Sequence, residues 1–314
     1  CGIWAPAPDR SPWSGAVPDG PKPTYRGAMM SSRVILVSDD RSSLRSPGTL
    51  LWPGSACMRG IHTSDWAAHI FEYAMSFEGN MTQVRELAAQ TGAGVLHPHG
   101  ALAVEPPGLI VCDVDSTVTR TEAIDLLAEC AGKAEEVSEV TARAMAGTLD
   151  FAESLHERVK CLEGLHVGAL EEARKATVVA PGATELVAAA HEVGAAVGLV
   201  SGGFTALVDP LAAEIGADFS ASNELEIVDD HLTGRVVGNI VDRAAKATWL
   251  RRWAEEREVD LERTIAVGDG ANDLDMFAAA GLAIAFCAKP VVVEAARNTI
   301  RCERIDALRA VWER

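Results

Sequence analysis

Asp113 and Asp115 stand two residues apart in Asp113-Val114-Asp115-Ser116-Thr117, directly after the apolar run Leu109 to Cys112. At a strand exit that spacing lets both carboxylates reach one pocket, which suits a nucleophile beside a general acid/base. Ser201-Gly202-Gly203 follows a second apolar run, Val197 to Val200, and its hydroxyl and bare backbone amides can bind an anion. Lys246, in a helix-like stretch, offers a point positive charge to a phosphate. Gly268-Asp269-Gly270-Ala271-Asn272-Asp273 follows a third run, Thr264 to Val267, and adds two carboxylates in a glycine-loosened loop. Four carboxylates at one strand edge repel one another unless a hard divalent cation lies among them. Mg²⁺, which takes oxygen ligands and keeps several waters, is the natural occupant, although Mn²⁺ accepts the same ligands. Each piece alone has an ordinary explanation: a turn or helix N-cap for the aspartates, a turn for Ser-Gly-Gly, solvation for the lysine. Their common order, each following an apolar strand, is what argues for chemistry.

The elements that must position these residues are short and β-branched. The three runs, with Leu282 to Phe286, are apolar on both faces and separated by helical stretches, which predicts an α/β fold with a Rossmann-like parallel sheet core. In such sheets ligands bind at the carboxyl ends of the strands, where the polar residues lie. Ala123, Leu126, Leu127 and Cys130 recur at helical spacing. Alternation around Asp229-Asp230, between Asp218 and Val241, predicts a β-hairpin. Ahead of residue 108 the pattern is different. Eight of the 14 prolines precede residue 60, among small polar runs that predict poor order. Trp66 to Thr91 has the apolar spacing of a helix, and His97, Pro98, Pro106 and Pro107 read as a linker.

The chain has 314 residues with 48% hydrophobic and 23% charged, enough for a sizeable core and about two domains. Its net charge of -17 is the wrong sign for a phosphate backbone or an anionic membrane, which argues against both partners. The acidity is uneven: -1 over residues 1–107 and -16 over the rest. The longest apolar stretch, Met276 to Ala288, is too short to span a bilayer. Seven scattered cysteines form no metal-ligand or disulfide pattern and read as reduced, mostly buried thiols of a cytoplasmic protein. An opening Cys1 in place of methionine is what a fragment or a misplaced start would show, with Met29, Met30 and Met81 as alternative starts. A lipidated Cys1 has nothing upstream to support it.

From about Gly108 onward the order of motifs resembles the haloacid dehalogenase-like phosphatases and, within them, the phosphoserine phosphatases. The residues carrying the resemblance are Asp113 to Thr117, Glu122, Arg143 to Phe151 with Arg158, Val200 to Phe204, Ala221 to Leu225, Lys246, Gly268 to Asp273 and Ala285 to Pro290. The resemblance implies an inserted helical cap over about residues 119–181, a core of 108–118 and 182–314, and the hairpin as a second small insertion. Residues 1–107 take no part and have no assigned function; no regulatory βαββαβ pattern is clear there. It further implies that Asp113 becomes an aspartyl phosphate while Asp115 protonates the leaving oxygen and later deprotonates water. Mg²⁺ would be held by the Asp113 carboxylate, the Asp115 backbone carbonyl and Asp269, with Asp273 orienting them. Ser201, the Gly202 amide and Lys246 would hold phosphoryl oxygens, and Asn272 would add a hydrogen bond. In the cap, Glu122 would receive a substrate ammonium, Arg158 its carboxylate, and Met145 and Phe151 would seal the pocket. By themselves Glu122 also reads as an ordinary helix N-terminal acid and Phe151 as a core aromatic.

The activity this implies is Mg²⁺-dependent hydrolysis of O-phospho-L-serine, a step of serine synthesis. A phosphatase or phosphotransferase acting on another small phosphate such as phosphohomoserine, or a non-catalytic binding protein on the same fold, are the alternatives. A P-type pump shares the aspartyl-phosphate logic but requires membrane helices. The oligomeric state stays open, a homodimer being one option.

Overall fold

Residues 32–39, 58–73 and 81–313 are described in the computed structural model of the chain. The run Val34-Ile35-Leu36-Val37 is buried throughout, yet its side chains divide by the two-residue period of a strand. This strand, β1 (Ser32–Ser38), turns Val34 and Leu36 toward one layer and Ile35 and Val37 toward another. It is followed by β2 (Met58–His62), β3 (Ala67–Tyr73), α1 (Met81–Thr91) and β4 (Gly94–Leu96). The four strands are antiparallel, in the order β2-β3-β1-β4, and Val84 and Ala88 of α1 cover the face that carries Val34 and Leu36.

The helix expected over Trp66 to Thr91 is therefore a strand followed by a shorter helix. Trp66, Ala68 and Ile70 pack into one core and Ala67 into the other, a period of two that a short apolar run does not distinguish from a helical one. Of the stretch expected to be poorly ordered, Ser32–Ser38 and Met58–His62 are strands, and the remainder lies outside the described residues. Within the expected linker, Leu102 is buried in the main core.

The predicted parallel strands all form. In chain order come β5 (Leu109–Cys112), α2 (Ala123–Cys130), α3 (Ala134–Met145), α4 (Phe151–Lys160), α5 (Gly168–Ala176), α6 (Ala183–Glu192) and β6 (Ala196–Phe204). Then follow α7 (Thr205–Ile215), β7 (Phe219–Val228), β8 (His231–Val237), α8 (Arg243–Glu256), β9 (Thr264–Gly268), α9 (Leu274–Ala279), β10 (Leu282–Phe286), α10 (Pro290–Ala296) and β11 (Thr299–Ile300). The parallel order is β11-β10-β9-β5-β6-β7. β11 also pairs antiparallel with β4 at Thr299 and Val95, so the amino-terminal strands continue the same eleven-stranded mixed sheet. The predicted hairpin is β7 and β8, and its two-residue turn places Asp229 and Asp230 at φ 49° and 60°, the left-handed pair that a twisted hairpin favours.

Helices α2 to α5, where the cap is expected, form a segment whose two ends meet in a backbone bridge between Thr119 and Val179. Its buried stripe is Ala123, Ile124, Leu127 and Ala128; Leu126 is half-buried and Cys130 exposed, so the helical period was right and its phase slightly off. Five described cysteines are free, and only Cys112 and Cys302 among them are buried, fewer than expected. Cys1 and Cys57 lie outside the described residues. Among the described residues no helix is long and apolar enough to cross a membrane.

Candidate functional site

Asp113 directly follows β5; the residue is 3% exposed, and its carboxylate faces α8 and the loop after β9. Oδ1 accepts from the Val114 amide at 2.8 Å and from Lys246 Nζ at 2.7 Å, while Asn272 Nδ2 lies 3.4 Å from Oδ2. Lys246 sits one turn into α8, where the Asp242 carboxylate caps the helix by accepting from the Ala245 amide at 2.8 Å. Only 1% exposed, its ammonium also donates to Asp273 Oδ1 at 2.8 Å. Burial alone would lower the Lys246 pKa, but Asp113 and Asp273 overcome it and hold the ammonium charged. Burial, followed by repulsion from Asp273, pushes Asp113 well above the ordinary carboxylate range against the pull of Lys246. Asp269 is pushed up to about 6 by burial and then by Asp273, with Lys289 opposing.

Asp115 turns the other way. Its Oδ2 accepts from Ser201 Oγ and its Oδ1 from the Ala123 amide at the start of α2, both at 2.8 Å. Burial and then Glu122 raise its pKa, against those two hydrogen bonds. Ser201 Oγ accepts in turn from the Gly203 amide at 2.7 Å. A Cβ on Gly203 would fall 2.8 Å from Asp115 Oδ2 and 2.9 Å from Ser201 Oγ, and one on Gly202 would fall 2.8 Å from the Phe151 ring. A side chain at either glycine would therefore force these neighbours to shift. In Gly203→Ala the added methyl is expected to displace the Asp115 and Ser201 side chains while the circular dichroism spectrum stays unchanged, and a crystal structure of the variant checks this.

The acidic cluster is composed of Asp113, Asp269 and Asp273, each offering an oxygen within 4.8 Å of the others. An all-oxygen donor set with one lysine against three carboxylates suits a hard divalent cation. The Asp115 carboxylate is not part of that cluster.

The cap residues divide. Glu122 occupies the N-cap position of α2, but its side chain accepts from Ser116 Oγ at 2.7 Å and caps nothing. Phe151, half-buried at the start of α4, stands over Gly202. Arg158 is half-buried; its Nε donates to the Ser154 carbonyl, and it makes no ion pair within 4 Å among the described residues. Burial lowers its pKa, against Glu122, Asp125 and Asp115, which are its electrostatic neighbours. Met145 is not brought into the cluster and is 74% exposed at the end of α3. Two residues bonded to the elements around these groups carried no role in the sequence reading. Asp242 shows the ordinary signal of an acid before a helix, and Asn223 is a buried amide in β7.

A profile of the haloacid dehalogenase-like hydrolases matches residues 110–278. A phosphoserine phosphatase of Streptococcus thermophilus is 51% identical over 188 residues, 60% of this chain and 87% of the relative. The chain belongs to the haloacid dehalogenase-like hydrolases, in their phosphoserine phosphatase family. A family member from Streptomyces coelicolor is 45% identical over 258 residues, 81% of this chain, more than the part after residue 107 alone supplies. The chain spans 63% of that relative's length. The crystal structure of a probable phosphoserine phosphatase from Vibrio cholerae, in an unliganded form, superposes with a TM-score of 0.74 at 34% identity. That match covers 89% of this chain and 85% of the other.

Proposed function

We propose that the chain hydrolyses O-phospho-L-serine to L-serine and phosphate through an aspartyl phosphate, with Mg²⁺ as cofactor, in the cytoplasm. The observation carrying this reading is the placement of two aspartates at one sheet edge: Asp113, buried beside Lys246, and Asp115, half-buried beside Ser201. That the relatives are phosphoserine phosphatases supports the choice of substrate.

An Asp113 oxygen attacks phosphorus and forms a P–O bond as the bond to the serine oxygen breaks. Asp115, whose pKa burial and Glu122 raise toward the range a general acid needs, gives its proton to that leaving oxygen. Asp115, now a carboxylate, takes a proton from a water that attacks the phosphorus, releasing phosphate and restoring Asp113. The Ser201 hydroxyl, the Gly202 amide and the third Lys246 proton hold the non-bridging oxygens, and Asn272 adds a hydrogen bond. Mg²⁺ held by Asp113, Asp269 and the Asp115 carbonyl, with Asp273 orienting them, would screen an anionic nucleophile from an anionic substrate. Glu122 takes the ammonium of phosphoserine and Arg158 its carboxylate; Phe151 covers the pocket, and Met145 joins it only on closure of the cap.

Phosphate release from L-phosphoserine, with Mg²⁺ or with EDTA, alongside phosphothreonine and 4-nitrophenyl phosphate, tests the reading. Metal-dependent turnover favouring phosphoserine supports it. Equal turnover of all three removes the cap assignments, and none from folded protein removes catalysis. Arg158→Ala is expected to cut kcat/KM for phosphoserine about 100-fold, the worth of a charge-assisted pair, and that for 4-nitrophenyl phosphate less than threefold. Asp269 must be ionised to hold the cation, and its proton leaves only near pH 6. At limiting Mg²⁺ activity should therefore fall as the pH drops through about 6, and saturating Mg²⁺ should move that limb to lower pH. Rate–pH profiles at two Mg²⁺ concentrations check the shift.

A further inference from the structure

Asn223 is 1% exposed and lies where β7 changes partners. It pairs parallel with Phe204 of β6, and from Glu224 onward the strand pairs antiparallel with β8. The β6–β7 register shifts between Val200 and Phe204, because Ser201-Gly202-Gly203 departs from the regular ladder to form the phosphoryl-binding turn. The Asn223 side chain fills the interrupted ladder. Its Nδ2 donates to the Gly202 carbonyl at 2.8 Å, and its Oδ1 accepts from the Val241 amide at 2.8 Å. The two partners, one an acceptor and the other a donor, fix the orientation of the amide. Val241 immediately precedes Asp242, whose backbone carbonyl accepts from the Lys246 amide at 3.0 Å and whose side chain caps α8.

One buried amide therefore ties the peptide that offers the Gly202 N–H to the helix that carries Lys246. We infer that Asn223 is a positioning residue that sets the separation between these two phosphoryl-gripping groups. The inference rests on the proposed function, because it takes Gly202 and Lys246 as contacts of the phosphate. It concerns the phosphate end of the substrate only. Glu122 and Arg158, which would select the amino-acid end, hang from the cap and have no bond to Asn223.

The experiment measures binding of inorganic phosphate by calorimetry with Mg²⁺ present, together with kcat/KM for L-phosphoserine and 4-nitrophenyl phosphate. Asn223→Ala removes both ties. It is expected to weaken phosphate at least about tenfold and to lower both kcat/KM values by a common factor, so that their ratio stays within about twofold. Asn223→Asp keeps an acceptor for Val241 but sets a carboxylate against the Gly202 carbonyl, and serves the same test if the alanine variant does not fold. A folded variant that binds phosphate as the parent does overturns the inference. So does a tenfold change in the substrate ratio, which would place the role in the cap, or failure of both variants to fold, which would make Asn223 a stability element only. A parent protein that binds phosphate without turning over phosphoserine defeats the substrate reading alone, and the inference is then judged on phosphate affinity. A parent that binds no phosphate defeats both.

Discussion

Asp113→Asn is expected to lower kcat on the order of 10⁴-fold or more while the protein stays folded. A neutral amide is a poor nucleophile, and nothing else at the end of β5 replaces it, because Asp115 is committed to Ser201 and the Ala123 amide. Folding should survive because Lys246 keeps Asp273 at 2.8 Å, so that no buried charge is left uncompensated. Stability should even hold or rise in EDTA. Burial raises the folded-state pKa of Asp113, so its ionised form costs stability at pH values above that pKa, and an amide removes the cost. The advantage should vanish as the pH falls through the raised pKa toward the ordinary carboxylate value, where Asp113 is protonated in both states. Kinetics paired with thermal unfolding at pH 8 and pH 4 read both effects. Retained turnover would remove Asp113 as the nucleophile.

Trp66→Ala should cost about 3–5 kcal/mol of stability and leave kcat of the folded protein unchanged. Trp66 is 1% exposed, and its indole Nε1 donates to Asp306 Oδ2 at 2.9 Å. Asp306, in the buried turn Ile305–Val311, also accepts from Arg304 Nε at 2.9 Å through its other oxygen. Arg33 of β1 donates to the Val311 carbonyl at 2.8 Å across the same junction. Ile35, Val37, Trp66, Ala68 and Ile70 share one core with Leu186, Leu308 and Val311. The amino-terminal strands are thereby welded to the carboxyl end of the chain. Urea unfolding of Trp66→Ala should show one displaced transition. A separate early transition would mean that the amino-terminal strands unfold by themselves. Trp66→Phe, which keeps much of the packing and loses only the donor, should cost about 1–3 kcal/mol.

Part of the candidate site was legible because three of its polar groups stand at apolar strand runs, whereas Lys246 lies in α8. Asp113, Ser201 and Asp269 close runs that are buried on both faces, and a parallel sheet brings its strand ends to one edge. The hairpin turn was legible in Asp229-Asp230, because few residue pairs accept two left-handed positions. Trp66 to Tyr73 was misread because eight residues with scattered apolar side chains satisfy both periods, and only pairing with β1 and β2 decides between them. Met145 matches its motif by position, yet it is exposed at the end of α3, and exposure depends on tertiary packing that no local pattern encodes.

Composition, strand-helix alternation and the three polar turns by themselves determined an α/β chain carrying a carboxylate pair, a Ser-Gly-Gly turn and an acidic loop at one sheet edge. Those are properties of type and spacing, carried by residues near one another along the chain or placed by a regular sheet. Only the tertiary structure decided that Lys246 lies between Asp113 and Asp273, that Asn223 bridges Gly202 and Val241, and that Trp66 reaches Asp306. Each of these contacts joins residues separated by tens to hundreds of positions. Each depends on a strand register or a packing distance, which the sequence expresses only once the whole chain has folded.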